Sequence, residues 1–149
     1  MTDEPRRTLA VDPGQVRVGL AVTDSGGMIA TPLEVIPAKG ATERIAKTVA
    51  DLNVGTVVVG LPLNMDGSEG PSAAAAREFA AALEARGVRV ELLDERLTTV
   101  TAERGLIESG HRRGKRREIQ DAVAAAVLLE AYLARQRNAA SRAAAGEET

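Results

Sequence analysis

One strand of this chain, at residues 54–63, constrains the fold more than any other feature. Its sequence, VGTVVVGLPL, is apolar at successive positions, so both faces of the strand carry apolar side chains. Such a strand belongs in the interior of a parallel sheet that helices cover on both sides. Apolar residues at helical spacing flank it at residues 42–52 and 72–86, and Ser72 can cap the second of these helices. The sequence therefore predicts an α/β fold.

Three strands precede this one with no helix between them, at residues 9–12, 16–23 and 28–36. The first connection is an Asp-Pro-Gly turn, and the second, Thr-Asp-Ser-Gly-Gly, is a hairpin signal. Strands joined by such short connections pair antiparallel, so we expect a three-stranded meander. Its third strand is predicted to turn three residues to one face: Ile29, Leu33 and Val35.

The later part of the chain alternates between helix and strand. A last strand at residues 88–93 is followed by two helices, at about residues 98–109 and 118–137. Strands separated by helices are expected to be parallel and joined by right-handed crossovers. The predicted order is βββαβαβαα, a mixed five-stranded sheet with helices on both faces. We expect a single domain over residues 1–137 and a frayed or disordered tail over residues 138–149.

Composition narrows the functional classes. The chain of 149 residues has no Cys and one His, which excludes Cys/His zinc sites, so a bound metal would need oxygen ligands and would be Mg2+ or Mn2+. One Phe, one Tyr and no Trp argue against binding of single strands on aromatic platforms. The net charge of -2 is not that of a generally basic nucleic-acid binder. The sequence has no membrane-spanning run and no signal-peptide core, so we expect a cytoplasmic protein without membrane partners.

Acidic residues follow two strands that are expected to be parallel. Asp12 ends the first strand, and the pair Asp94 and Glu95 follows the last. The carboxyl ends of parallel strands meet at one edge of a sheet, which is where open α/β sheets bind ligands. Asn64, after the strand at residues 54–63, also falls at this edge, although the glycines around it favour an ordinary turn.

A third acid, Asp121, lies on the apolar face of the final helix. The residues that share this face are Ala124, Ala125, Leu128 and Leu129. An unpaired carboxylate in such a place costs on the order of several kcal/mol, so it must be protonated, ion-paired or bound to metal. Arg17 and Arg96 are the candidate ion-pair partners, and each of them is also a candidate phosphate contact. A position at the rim of a half-covered face is the remaining alternative.

Three carboxylates at one sheet edge predict a site for phosphoryl transfer that depends on divalent metal ions. A basic run lies just before Asp121, and such a patch beside an acidic metal site suits a polyanionic substrate. Its members are Arg112, Arg113, Lys115, Arg116 and Arg117. A solvated charge run before a helix is the alternative interpretation, and the nearness of the run to Asp121 favours nucleic-acid binding.

Four segments, in this order and spacing, resemble the YqgF (RuvX) family. They are VDPGQVRVGLAVTD, VVVGLPLNMDGSEGP, DERLTT and KRREIQDAVAAAVLLEAYL, and the resemblance covers about residues 8–133. It implies the RNase H-like fold and a relation to the resolvase RuvC. It further implies that Asp12, Glu95 and Asp121 are the catalytic residues and metal ligands, with two Mg2+ or Mn2+ ions once substrate is bound. Between Asp94 and Glu95 the resemblance favours Glu95, which the residues alone do not separate.

The resemblance implies a nuclease that processes the 5′ end of pre-16S rRNA, with RNA and ribosome-associated components as partners. A resolvase of branched DNA is the second hypothesis, and it requires a symmetric dimer to cut two strands. The sequence leaves monomer and homodimer open. A third hypothesis is a catalytically weak RNA-binding module. An ATP-binding relative of the actin and hexokinase type is disfavoured because the chain is short and has no second domain.

Overall fold

A computed structural model gives the backbone of residues 6–97 and 115–147, and side chains are described at residues 6–96 and 121–143. The predicted helix at residues 98–109, together with Arg112 and Arg113, lies outside the described residues. The strands are β1 (Arg7–Asp12), β2 (Arg17–Thr23), β3 (Ala30–Pro37), β4 (Val54–Leu61) and β5 (Val90–Asp94). The helices are α1 (Ala41–Asp51), α2 (Pro71–Glu84) and α3 (Lys115–Glu147), and a short 3-10 turn spans Glu95–Leu97.

The five strands form one mixed sheet in the order β3-β2-β1-β4-β5. β2 pairs antiparallel with both β1 and β3, whereas β4 pairs parallel with both β1 and β5. The predicted meander and the predicted parallel strands are therefore confirmed. β4 has a neighbour on each side, and Val57, Val58 and Val59 are fully buried, as expected for a strand that is apolar on both faces.

Alternate residues of the same strands pack into two different cores. Leu9 and Val11 of β1 pack on the face that α1 and α2 cover, where Ile45 and Leu83 meet them. Ala10 of β1 packs on the opposite face against α3. Other members of the α3 core are Ala21, Val58, Leu93, Ala125, Leu128 and Leu129. Because side chains alternate along a strand, this pattern fixes which residues at the strand ends lie on the side of α3.

The predicted inner face of β3 is wrong at two positions. Ile29 precedes the strand and is 63% exposed, and Leu33 is 38% exposed. The pairing shifts here, because Leu20 lies opposite Glu34 whereas the next residue of β2 lies opposite Pro32. The extra residue is Leu33, so this is a β-bulge, and a bulge changes the face on which the following side chains lie.

Two helix starts also differ from the prediction. Gly70, not Ser72, is the N-cap of α2, and Pro71 occupies the first turn, where its fixed φ suits a helix. α3 begins at Lys115, so the last three residues of the predicted basic loop belong to the helix. α3 also continues to Glu147, beyond the predicted domain boundary at residue 137, and that boundary stays a prediction. No helix in the described ranges is long and apolar enough to cross a membrane.

Candidate active site at the carboxyl edge of the sheet

Asp12 is the last residue of β1 and lies between two glycines of the neighbouring strands. It is 5% exposed, and its partner across the antiparallel pair is Gly19 of β2. On the other side Val11 lies opposite Val59, so the residues that follow them are Asp12 and Gly60. Alternation from Ala10, Ala21 and Val58 places all three of these residues on the face that α3 covers.

Gly19 brings α3 close to β2. A Cβ atom at Gly19 would lie 2.6 Å from the carbonyl carbon of Asp121 and 3.3 Å from the backbone nitrogen of Ala122. Only a residue without a side chain allows the backbone of α3 to pass at this distance. Since Gly19 is the partner of Asp12, the same contact sets the end of the first strand beside the helix turn that carries Asp121.

The carboxylate of Asp121 forms an ion pair with Arg17, the first residue of β2. Arg17 Nε donates to Asp121 Oδ2 at 3.0 Å. The side chains are 29% and 21% exposed, respectively, so the pair is only partly screened by water. Of the alternatives that the sequence leaves open for Asp121, the structure shows the ion pair, and it selects Arg17 rather than Arg96.

Glu95 opens the 3-10 turn that follows β5, and its side chain folds against β4. A Cβ atom at Gly60 would lie 3.1 Å from Glu95 Cδ and 3.2 Å from its Cγ. Glu95 is 6% exposed. Burial raises the pKa of Glu95 above its usual range, and the neighbouring negative charge of Asp94 raises it further.

Asp94 lies beside Glu95 in sequence but has different partners. Its carboxylate accepts a hydrogen bond from the backbone N–H of Arg96 at 2.9 Å, and Arg96 Nη2 donates to Oδ2 at 2.8 Å. The hydrogen bond from the Arg96 side chain is the main reason that the pKa of Asp94 is lowered. Asp94 thus serves to hold the end of β5, whereas Glu95 packs on the glycine next to Asp12.

The turn after β4 uses its polar side chains internally. Asn64 Nδ2 donates to Ser68 Oγ at 2.9 Å, and the Ser68 hydroxyl donates to Asp66 Oδ1 at 2.6 Å. Arg96 Nη1 donates to the carbonyl oxygen of Met65 at 3.3 Å, which ties this turn to the end of β5. Asn64 therefore lies at the expected edge, and its amide takes part in turn chemistry.

Asp12, Glu95 and Asp121 all lie near the carboxyl edge of the sheet, but they do not form a preassembled cluster. Within the described ranges, no group of three or more His, Cys, Asp or Glu side chains is placed to hold a metal ion. Asp121 instead has one oxygen on Arg17. In the basic run, Lys115, Arg116 and Arg117 lie in the first turn of α3, less than two helical turns before Asp121.

Gly60 is not among the residues predicted for the site, although Glu95 packs on it. A glycine directly after three consecutive valines of β4 was the available signal, since glycine inside a strand marks a bulge or a close approach. The residue that approaches was not predictable, because Glu95 is distant in sequence and reaches Gly60 only through the pairing of β4 with β5.

The family model RuvX, described as Holliday junction resolvase, matches residues 6–135 of this chain. The chain belongs to the RuvX family. A RuvX relative from an Anaeromyxobacter strain is 49% identical over 131 residues, which are 85% of this chain and 96% of the relative. Another from a Nocardioides species is 44% identical over 147 residues, 93% of each chain. Both carry the name "Putative pre-16S rRNA nuclease". The prediction of a nuclease is thus confirmed at the level of the family.

The solved structures confirm the fold of this RuvX chain. Thermus thermophilus RuvC in complex with a Holliday junction substrate covers 88% of the chain, which in turn covers 96% of RuvC. The TM-score is 0.50 and the sequence identity 19%. The RNase H-like fold with a mixed five-stranded sheet is therefore confirmed.

Proposed function

We propose that this chain is an endonuclease that hydrolyses phosphodiester bonds of pre-16S rRNA, with Asp12, Glu95 and Asp121 as its acidic catalytic residues. The observation that carries the proposal is their placement. Gly19, the cross-strand partner of Asp12, packs on the backbone of Asp121, and Glu95 packs on Gly60 of the strand on the other side. The names of the curated relatives support this choice of substrate.

The donor chemistry of these residues suits Mg2+ or Mn2+. All three side chains offer carboxylate oxygens, which hard divalent cations prefer. Asp12 and Glu95 are 5% and 6% exposed, and at such buried positions a nearby cation would favour the ionised form of a carboxylate. We assign the metal site to Asp12, Glu95 and Asp121. A bound divalent ion supplies an activated water and stabilises the charge that develops on the phosphate oxygens.

Arg17 has a separate role in this proposal. It faces Asp121 across 3.0 Å and thereby balances the charge of a partly buried carboxylate. Its guanidinium has further N–H groups, and two parallel ones would suit the oxygens of a phosphate held near Asp121. Arg17 therefore orients the Asp121 carboxylate and lies where it could contact the substrate.

The basic run is proposed to contact the RNA backbone. The support is its position, because the first turn of α3 carries three of its five members and leads directly to Asp121. Contacts of this kind position the substrate without reading its sequence. The two arginines before them, Arg112 and Arg113, extend the same charge along the chain.

Branched DNA is the second candidate substrate. The family model is described as a Holliday junction resolvase, and this description favours a four-way junction. The two candidates differ in a requirement that can be tested, because resolution of a junction needs two active sites related by symmetry, whereas single cuts in RNA need one.

A side-by-side cleavage assay with Mg2+ or Mn2+ tests the proposal. One substrate is a 5′ fragment of pre-16S rRNA, and the other is a four-way DNA junction. Asp12→Asn removes the central carboxylate charge with little change in shape, and Asp51→Asn, on an exposed residue at the end of α1, is the matched control. We expect cleavage of the RNA by wild type and by Asp51→Asn but not by Asp12→Asn. Wild-type turnover by Asp12→Asn would contradict the assignment of the site.

A further inference from the structure

A second feature of the same sheet edge is a groove on the opposite face, the one that α1 and α2 cover. Its volume is about 410 Å³. The connection between β1 and β2 forms one wall through Pro13 and Gln15, and the first turns of α2 form the other. Phe79, the one phenylalanine of the chain, lines the groove while part of its side chain packs into the core.

The groove continues into the candidate active site through Glu95. This side chain lines the groove and also packs against Gly60, next to Asp12. A molecule bound in the groove would therefore lie next to the proposed reacting phosphate.

The chemistry of the lining excludes some ligands and favours others. The residues that the structure places around the groove include no lysine or arginine, and the ionisable one among them is Glu95. A phosphate group would therefore find no cationic side chain among these residues. The remaining surface is apolar, from Pro13, Pro62 and Phe79 among others, with Gln15 and Ser72 as hydrogen-bonding groups. A neutral, flat group with an apolar face and polar edges fits this surface.

We propose that the groove binds the base of one unpaired nucleotide of the RNA substrate, adjacent to the bond that is cut. The proposal rests on the proposed function, because it uses the phosphate that the three acids would act on. Proteins that recognise RNA commonly bind bases that are splayed out of the strand, through stacking on an aromatic ring and hydrogen bonds to the base edges. Phe79 offers one ring for one base, which agrees with a chain too poor in aromatic residues for a platform of several stacked bases. The volume lies within the range of about 300–1,000 Å³ found for small-ligand sites.

The groove would make the enzyme selective for single-stranded RNA at the cut position. A base that is stacked in a duplex cannot enter a groove between a turn and a helix without being extruded, which costs a few kcal/mol. One base site beside the catalytic residues would contact a single nucleotide and leave the neighbouring sequence unread.

The test uses two positions on α2 that differ by one residue. Ala75 lines the groove, and Ala74 is exposed on the same helix but does not line it. Ala75→Leu fills part of the groove, and Ala74→Leu adds the same side chain outside it. The full chain, without added metal, is titrated with adenosine and with uridine, and with ribose as the probe that has no base, while amide resonances are followed by NMR.

We expect both nucleosides to shift the resonances of Gln15, Ala75 and Phe79, and ribose to leave them unchanged. Ala75→Leu should weaken nucleoside binding by about tenfold, as loss of a stacked base does, and Ala74→Leu by less than about twofold. Equal shifts with ribose, no shifts with either nucleoside, or equal affinities of the two variants would overturn the proposal. Phe79→Leu keeps an apolar side chain in the core and should weaken binding in the same way as Ala75→Leu.

This experiment is independent of catalysis. Nucleoside binding needs neither metal nor cleavage, so failure of the base site leaves the assay with Asp12→Asn unaffected. Conversely, cleavage that does not depend on Asp12 would remove the proposed function even if nucleosides bind in the groove.

Discussion

Replacement of Gly19 by alanine tests the packing that places Asp121 beside Asp12. The new Cβ would lie 2.6 Å from the carbonyl carbon of Asp121, which is 0.8 Å short of the 3.4 Å at which ordinary contact begins. The neighbour is helix backbone rather than a flexible side chain, so α3 or β2 must move. Gly19 does not have a positive φ, so alanine meets no backbone strain there and the effect is steric.

The expected cost can be worked out from this displacement. Overpacking in a well-packed interior destabilises a protein by about 1–3 kcal/mol. Alanine also has less conformational freedom than glycine in the unfolded chain, which offsets about 0.4–1 kcal/mol of this loss. We therefore expect the free energy of unfolding to fall by about 1–2 kcal/mol. Domains commonly have about 5–15 kcal/mol of stability, so the variant stays folded. A catalytic group displaced by about 1 Å can lose about 100-fold in rate, and this is the expected loss of cleavage.

The assay pairs urea unfolding with RNA cleavage at a temperature where the variant is folded. Gly55→Ala in β4 is the control, because its Cβ would meet the side chain of Arg6, which can move away, at 3.0 Å. We expect Gly55→Ala to keep wild-type cleavage. Cleavage by Gly19→Ala within about twofold of wild type would refute the argument that the Gly19 contact positions Asp121.

Further predictions concern charged residues of the candidate site and of the basic run. Arg17→Gln removes the cation that competes with a metal ion for Asp121. Mn2+ binding, measured by calorimetry, should therefore strengthen by up to about fivefold, while RNA cleavage should fall. The control Arg44→Gln, in an exposed ion pair with Glu34, should change neither metal binding nor cleavage. Because the pKa of Glu95 is raised, the folded state keeps a proton over a pH interval in which the unfolded state has released it. Without metal, the free energy of unfolding should therefore fall as pH rises from the ordinary glutamate range through the pKa of Glu95 in the folded state. Glu95→Gln should remove this pH dependence and abolish cleavage, whereas Asp94→Asn should keep cleavage and lose about 0.2–1 kcal/mol of stability from its ion pair with Arg96. Neutralising Arg112, Arg113, Arg116 and Arg117 should reduce the slope of log K against log salt for single-stranded RNA by up to about 3, and an unchanged slope would show that the run is only a solvated face.

The directions in which the strands pair were predictable, because the strands and their connections carry local signals. The valines of β4 are apolar on both faces, and the short turns between β1, β2 and β3 leave only antiparallel pairing. The bulge at Leu33 was not predictable, since it depends on how β3 pairs with β2 and leaves no mark in the alternation of β3 itself. Register is a property of two strands, and one strand's sequence does not contain it.

The candidate residues of the site could be selected from the sequence, whereas their arrangement could not. Asp94 and Glu95 are adjacent acids at a strand end, and which of them faces Asp12 depends on where the strand stops and the 3-10 turn begins. The sequence does not distinguish Arg17 from Arg96 as the partner of Asp121. In the structure Arg17 lies at the start of β2 and pairs with Asp121 of α3, whereas Arg96 follows β5 and pairs with Asp94. Each choice is made by tertiary contact between segments far apart in the chain.

The two proposed sites lie on opposite faces of one sheet, and Glu95 joins them. Asp12 and Gly19 lie on the side of α3, while the groove that Phe79 lines lies on the side of α1 and α2. A strand of RNA that contacts both sites must cross the carboxyl edge. Glycine is the residue beside Asp12 on both neighbouring strands, and the Glu95 side chain packs on one of them, Gly60. The crossing places the phosphate at the acids when its base enters the groove, so base binding and correct placement of the scissile bond become a single event.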